Sequence, residues 1–338
     1  MRNEVAAAAP KARDDSPIFI LGRQHSGNTM LATILRKTPG VLSLLEEGNF
    51  FERRLKLGLL PLEPRIRELL KAIRQSDSPP IAADVLAQLE QRLRREMGTR
   101  ADHRNWPAER LYVRAMELLA EMRGASRWAQ KATSYVFYVD AIMRAIPTAK
   151  FVYLVRNPLD IAASVKKRGY EKAFARVAIG WARGLRLARK YASENPANFL
   201  MSVYEDIVKN PTAELGRIYQ FLGLEFSPDY LEIPHVNPAD HPYKVTGDNV
   251  GVVGERVGYW HGFLSAKEAA TVRALVSSRV LNGLYPSQGN GAEVSRLALG
   301  VSEAYFYAVG MATGLYDHAK RFLRDPPDTI DRLRRRVL

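Results

Sequence analysis

A short apolar run, a turn framed by two glycines and a helical pattern follow one another near the start of this chain. Residues 18–21 are uninterrupted apolar residues, as expected of a strand buried on both faces of a parallel sheet. Gly22 and Gly27 then frame a G-x-x-x-x-G turn, and apolar residues recur at helical spacing over 30–35. In that context backbone N–H groups and a helix N-terminus converge on an anion. The pattern therefore predicts a phosphate-binding loop at the end of a sheet strand.

The loop differs from that of nucleoside triphosphatases in the residues after Gly27. Those enzymes continue with lysine and then serine or threonine, whereas here Asn28 and Thr29 keep the hydroxyl and drop the lysine. A chance pair of glycines in a strand–helix turn is the alternative explanation.

A second strand–helix junction supplies positive charge. An apolar strand ends in Arg156, and Asn157 and Pro158 suit the cap and the first turn of a helix. Ser164 and Arg168 lie four residues apart and share a face of that helix. Two arginines and a hydroxyl would make a compact site for a phosphate dianion. A solvated basic helix face is the alternative.

Together the two segments resemble the sulfotransferases that use 3′-phosphoadenosine 5′-phosphosulfate (PAPS). In that family a G-x-x-R-S-G-T-T loop holds the 5′-phosphosulfate, and a V-R-(N/D)-P-x-(D/R)-x-x-x-S segment holds the 3′-phosphate. Residues 155–164 match the second motif closely. The first motif departs at His25, which replaces arginine, and at Asn28, which replaces threonine or serine. His25 would neutralise the transferring group only when protonated, and would act more weakly as a neutral donor.

Three further stretches extend the resemblance over most of residues 17–290. Residues 128–135 resemble a W-x-x-K-T/D-P segment whose lysine, here Lys131, faces the sulfuryl group. Residues 203–224 resemble a Y-E-D-L-V…P…F-L-G-L stretch, and residues 254–260 resemble the glycine–tryptophan segment that closes over the nucleotide. The PAPS-binding residues implied by the resemblance are His25, Ser26, Gly27, Asn28, Thr29, Arg156, Ser164, Arg168 and Tyr204.

Sulfuryl transfer needs a base for the acceptor proton. In related tyrosine-type enzymes a glutamate lies just after the first helix, and counting without gaps from Thr29 places it at Glu46. Glu47 and His241 are substitutes, and both glutamates could instead end a strand or cap a helix. The predicted catalytic residues are Glu46, Lys131 and His25.

We expect no metal in this reaction. The transferring group carries one negative charge, so positioned donors and a lysine could replace the metal that phosphoryl transfer needs. Asp160 is the nearest candidate for a metal ligand, but it follows Pro158 at a helix start, where a capping role is expected.

Composition limits the classes of function. With 338 residues, 46% of them hydrophobic, the chain can bury one large core. The absence of cysteine excludes disulfides, a cysteine nucleophile and thiolate metal sites, and it suits a cytoplasmic location. The formal net charge of +14 favours anionic ligands. Because the chain has no zinc spacing and no aromatic RNA-binding signature, we expect no nucleic-acid partner.

Alternating strands and helices predict an α/β fold with a three-layer, doubly wound, mostly parallel sheet and a P-loop-like nucleotide site. Residues 1–16 are expected to form a flexible tail, and residues 17–290 a sulfotransferase domain. Within it, residues 52–125 are predicted to form a helical insert that supplies acceptor specificity. Residues 291–338 are predicted to form a C-terminal helical extension.

The extension contains a largely apolar stretch. Residues 297–316 carry Glu303 as their only charge, and we predict a packing or homodimerisation helix in preference to one lying on a membrane surface. Peripheral contact with a membrane stays open as the second expectation.

The leading function is transfer of a sulfuryl group from PAPS to a hydroxyl or amine acceptor. The acceptor could be a carbohydrate, a small metabolite, a lipid or a peptide. A P-loop kinase is one alternative, opposed by Asn28, because no lysine is positioned for the β- and γ-phosphates. A nucleotide-binding or interaction protein with impaired catalysis is another, favoured by His25.

Overall fold

A five-stranded, all-parallel sheet forms the centre of the protein. The computed structural model describes residues 15–98, 105–170, 173–233, 251, 252, 254, 256–276, 281, 284, 285 and 295–337. The strands are β1 (Ile18–Gly22), β2 (Val41–Leu44), β3 (Arg127–Lys131), β4 (Lys150–Val155) and β5 (Phe199–Val203). They are arranged in the order β2-β3-β1-β4-β5. The sheet confirms the predicted α/β class and its parallel strands.

Strand β1 occupies the middle of the sheet, between β3 and β4. Ile20 lies opposite Lys131 on one side and Val152 on the other. The strand is fully buried because helices cover both faces of the sheet. Phe19 and Leu21 belong to the core on one face, whereas Ile20 belongs to the core on the other. The carboxyl ends of β1, β3 and β4 therefore meet at one edge, where ligands bind in sheets of this kind.

Helices flank the sheet, and further helices follow it toward the C-terminus. In the described part of the chain they are α1 (Asn28–Arg36), α2 (Arg54–Leu59), α3 (Leu62–Arg74), α4 (Ala83–Met97), α5 (Ala108–Met122), α6 (Val139–Ala145), α7 (Pro158–Lys167), α8 (Phe174–Glu194), α9 (Tyr204–Lys209), α10 (Pro211–Leu222), α11 (Ala266–Val276), α12 (Arg296–Arg324) and α13 (Pro326–Val337). Helices α2 to α5 lie within the segment predicted as an insert.

Aromatic side chains pack the predicted insert, residues 52–125, against the sheet. Phe50 stacks on Tyr112 of α5 with ring centroids 4.1 Å apart, and Tyr112 meets Trp128 of β3 edge-on at 5.8 Å. Edge-to-face and offset aromatic pairs add to the free energy gained by burying apolar area. The loop that follows β2 is thereby held at the carboxyl edge of the sheet.

The C-terminal helix α12 packs on α8 and α11 along one side. Phe306 lies against Phe174, with ring centroids 5.3 Å apart, and Ser302 accepts a hydrogen bond from Thr271 at 3.0 Å. Its other side exposes apolar residues, among them Leu297, Val301, Tyr305 and Tyr316. No described helix is long and apolar enough to cross a membrane.

Candidate active site

The turn after β1 requires both of its glycines. Gly27 has φ 94°, and a Cβ there would lie 2.7 Å from the ring of Tyr204. A Cβ on Gly22 would lie 2.7 Å from the carbonyl oxygen of Leu154 in β4. These approaches explain the G-x-x-x-x-G spacing, because only glycine combines positive φ with such close contacts.

Asn28 has a structural role at the position where triphosphatases carry lysine. Its side-chain amide donates a hydrogen bond to the Gly22 carbonyl at 3.1 Å, and so turns back into the loop. The Ser26 hydroxyl is 1% exposed and, like the Asn28 Oδ1 atom, has no hydrogen-bond partner among the described residues. Buried polar atoms are normally paired. The loop thus offers a buried hydroxyl beside the N-terminus of α1, where Thr29 lies half-buried in the first turn.

His25 adopts an uncommon backbone conformation in the middle of the turn. Its φ of 71° is in the left-handed region, which histidine enters more readily than most residues. Its carbonyl accepts a hydrogen bond from the Arg156 guanidinium at 2.8 Å. The structure therefore brings the first predicted motif directly against the second.

Arg156 joins the loop to three other elements. Its side chain follows β4, is 4% exposed, and donates a second hydrogen bond to the Arg256 carbonyl at 2.7 Å. The guanidinium carbon lies 4.3 Å from the centroid of the Tyr204 ring, a cation–π contact. Trp181 of α8 donates to the Arg156 carbonyl at 2.8 Å. The Nε atom of Arg156 is buried and has no acceptor in the described part of the chain.

Asp160 anchors the segment that contains Gly258 and Trp260. Its carboxylate accepts hydrogen bonds from the backbone N–H groups of these two residues, at 2.9 and 3.1 Å. Burial raises the pKa of Asp160, and the two N–H donors and Arg156 counteract that rise. The cap predicted at Asn157 is confirmed, since its side chain accepts from the Leu159 N–H at 2.9 Å. The capping expectation for Asp160 was therefore wrong, because its partners lie far along the chain.

Ser164 also contacts this segment. It is 4% exposed and its hydroxyl is hydrogen-bonded to the hydroxyl of Tyr259, which donates in turn to the Asp160 carbonyl at 2.9 Å. Arg168 directly follows α7, one helical turn beyond Ser164, and is half-buried. Of the predicted 3′-phosphate residues, Ser164 thus lies on α7 and Arg168 directly after it, whereas Arg156 directly follows β4.

Glu205 is a site residue that sequence reasoning did not single out. Its carboxylate accepts from the Asn157 backbone N–H at 2.9 Å and from the Tyr285 hydroxyl at 3.0 Å. Burial raises the pKa of Glu205, and these hydrogen bonds and Arg156 lower it in part. It fixes the turn between β4 and α7. The Y-E-D triplet was the available signal, but it did not reveal which backbone group the glutamate reaches.

The three remaining candidates lie at the ends of β2 and β3. Lys131 is the last residue of β3 and is 8% exposed. Glu47 accepts hydrogen bonds from the Thr133 N–H at 3.1 Å and hydroxyl at 3.0 Å. Burial raises the pKa of Glu47, and Thr133 and the nearby charge of Lys131 counteract it. Glu46 is exposed and makes no side-chain hydrogen bond to a described residue.

Two further predictions concern His241 as a substitute base and the absence of a metal site. His241 lies outside the described residues. Within the described ranges, no group of three or more histidines, aspartates and glutamates could hold a metal ion.

Comparison with known proteins identifies the family. The model of a sulfotransferase family matches residues 17–228. A search of curated proteins gave no match.

Several solved structures are similar to this chain. The sulfotransferase domain of the olefin synthase from Synechococcus PCC 7002 has 19% identity and a TM-score of 0.48, covering 88% of this chain and 97% of that one. The sulfotransferase domain from the curacin biosynthetic pathway has 19% identity and a TM-score of 0.49, covering 78% and 98%. Sulfotransferase STF9 from Mycobacterium avium has 15% identity and a TM-score of 0.41, covering 82% and 78%.

The loop geometry predicts opposite effects for two glycine substitutions. Gly27→Ala should lower the free energy of unfolding by about 1–3 kcal/mol, because alanine resists positive φ and would press on Tyr204. Gly216→Ala is the control: this glycine lies inside α10 with nothing within 4 Å of an added Cβ. It should raise the free energy of unfolding by about 0.5–1 kcal/mol. Urea denaturation measures both, and effects of the same sign would contradict the assigned loop conformation.

Proposed function

Because the chain belongs to the sulfotransferase family, we propose that it transfers a sulfuryl group from PAPS to a hydroxyl or amine acceptor. The observation that carries the proposal is the buried Arg156 guanidinium, which lies between the turn after β1 and the segment 256–260. A fixed cation beside an anion-binding turn suits a nucleotide with phosphate at both its 5′ and 3′ positions.

The turn would hold the 5′-phosphosulfate. Its backbone N–H groups, the N-terminus of α1 and the buried Ser26 hydroxyl supply donors without a lysine. Gly27 supplies the positive φ of the turn, and Asn28 and Thr29 begin the helix that would face the anion. These residues fit PAPS better than a nucleoside triphosphate, because the Asn28 amide is engaged with Gly22 and no lysine follows Gly27.

The 3′-phosphate would be bound by Arg156 and Ser164, with Arg168 assisting. Arg156 retains a buried Nε–H donor beyond its two bonds to backbone carbonyls. Tyr204 makes a cation–π contact with the same guanidinium. Asp160 and Tyr259 hold the segment 256–260 against this site. Binding of the 3′-phosphate and closure over the nucleotide would therefore both involve helix α7.

As the base we favour Glu47 over Glu46, which was the first prediction. In the proposed step the acceptor oxygen or nitrogen attacks sulfur, its proton passes to the glutamate, and the bond from sulfur to the bridging phosphate oxygen breaks. Adenosine 3′,5′-bisphosphate leaves. Lys131 would stabilise the charge on the sulfuryl oxygens, and His25 would assist from the turn. Glu47 lies close enough to Lys131 for that charge to lower its pKa, and it is oriented by Thr133.

Arg156→Ala should weaken binding of adenosine 3′,5′-bisphosphate roughly ten- to a hundredfold, because a charge-assisted contact to phosphate is lost. Binding of adenosine 5′-phosphosulfate, which lacks the 3′-phosphate, should change little. Calorimetric titration of both ligands measures the selectivity. Arg189→Ala on α8 is the control, since Arg189 is exposed.

Two companion variants guard against a simple loss of folding. Arg156→Lys keeps the charge and should give an intermediate loss, and Ser164→Ala should weaken only the bisphosphate. Equal losses for the two ligands would show that Arg156 does not contact the 3′-phosphate.

Glu47→Gln should lower kcat by roughly 10²–10⁴ while PAPS binding survives, because shape is kept and basicity is lost. Glu46→Gln is the matched control and should keep kcat within a few fold. The base must be ionised, so kcat/KM should rise with pH through the pKa of Glu47, which burial raises above its usual range. The Glu47→Gln variant should lack that rise. A large loss of kcat in Glu46→Gln, with little loss in Glu47→Gln, would identify Glu46 as the base.

A further inference from the structure

A cleft opens at the carboxyl edge of the sheet beside Glu46 and Glu47. Its volume is about 490 Å³, within the range of small-molecule sites. One wall is the loop that follows β2, including Glu52 and Arg53. The opposite wall is formed by the end of α12 and the start of α13. The cleft therefore lies between the candidate base and the C-terminal extension.

Buried polar contacts hold the extension in this position. The Asp328 carboxylate, 4% exposed, accepts hydrogen bonds from the backbone N–H groups of Leu55 and Lys56, at 3.0 and 3.1 Å. Arg332 pairs with Glu52 at 2.6 Å, and their side chains are only 10% and 12% exposed. These contacts join α13 to the N-terminal turn of α2, so the wall is part of the folded unit.

Several charged side chains in the cleft already have partners within the protein. Glu52 is paired with Arg332, Asp325 with Lys56, and Arg53 with Glu68 at 3.3 Å. Asp328 is satisfied by its two backbone donors.

Two arginines at the end of α12 have no such partner in the described part of the chain. Arg321 and Arg324 line the cleft, are exposed, and make no side-chain hydrogen bond or ion pair to any described residue. The cleft thus has uncommitted positive charge on the extension and the glutamate pair on the opposite wall.

We infer that the C-terminal extension completes the acceptor site, and that Arg321 and Arg324 select acceptors carrying an anionic group. This inference rests on the proposed sulfuryl transfer. The acceptor would present its hydroxyl or amine to Glu47 and its carboxylate, phosphate or sulfate to the arginine pair. Guanidinium groups bind such anions through paired, charge-assisted hydrogen bonds. An uncharged acceptor of the same shape would leave both cations without a counter-charge.

Matched pairs of phenols test the inference, each pair consisting of a carboxylate and its primary amide. Suitable pairs are 4-hydroxybenzoate, 4-hydroxyphenylacetate and 3-(4-hydroxyphenyl)propionate with their amides. The measurements are kcat/KM for sulfuryl transfer and, independently of turnover, the Kd of each phenol with and without adenosine 3′,5′-bisphosphate. The carboxylate of at least one pair should be favoured about tenfold, and added salt should reduce this preference.

Substitution should assign the preference to the arginine pair. In the double variant Arg321→Gln/Arg324→Gln, the ratio of kcat/KM for the carboxylate to kcat/KM for the amide should fall to about one. We expect this because KM for the carboxylate rises, whereas kcat and the kinetic constants for the amide stay the same. Lys320→Gln is the control, since Lys320 is an exposed neighbour on α12 that does not line the cleft. It should behave as the unmodified protein.

Equal Kd values for carboxylate and amide in all three pairs would overturn the inference, as would an equal loss in the Lys320→Gln variant. Failure of the proposed function has a different signature. In that case adenosine 3′,5′-bisphosphate would not bind and no sulfuryl transfer would occur, whatever the phenol Kd values show.

Discussion

The site depends on one buried guanidinium. Arg156 donates to the carbonyls of His25 and Arg256 and lies on the ring of Tyr204. Its contacts tie together the turn after β1, the end of β4, the start of α9 and the segment 256–260. The charges of Asp160 and Glu205 lie near the guanidinium, but its buried Nε–H has no acceptor among the described residues, and a bound anion would supply one. The arrangement around Arg156 thus connects the turn after β1 to the segment 256–260, which is anchored on α7.

The sheet and the turn framed by two glycines were predictable because their signals are local. Buried strands read as apolar runs, and the glycines at 22 and 27 are required by backbone contacts. The confirmed expectations are the α/β parallel sheet and the sulfotransferase family. Strand β2 was missed because it has only four residues and lies at the edge of the sheet. Its pattern is too short to distinguish from a loop.

The failures concern contacts between distant parts of the chain. Asp160 and Gly258 are 98 positions apart, and Asp328 and Leu55 are 273 positions apart. No local pattern specifies such pairs, so Asp160 was predicted to cap its own helix. The choice between Glu46 and Glu47 is a separate, short-range question, because neighbouring side chains point in different directions and counting positions does not distinguish them. The helical pattern of the extension was readable, but its position beside the glutamates follows only from the fold.

The most direct measurement is the ligand dependence of thermal stability in the unmodified protein. Adenosine 3′,5′-bisphosphate at a hundred times its Kd should stabilise the fold by about 2.7 kcal/mol. Adenosine 5′-monophosphate and ATP with magnesium, each at that same concentration, should stabilise it far less, because neither carries a 3′-phosphate. Stabilisation by ATP with magnesium but not by the bisphosphate would contradict the account and favour a kinase. Strong stabilisation by the bisphosphate would support Arg156 as the centre of a 3′-phosphate site.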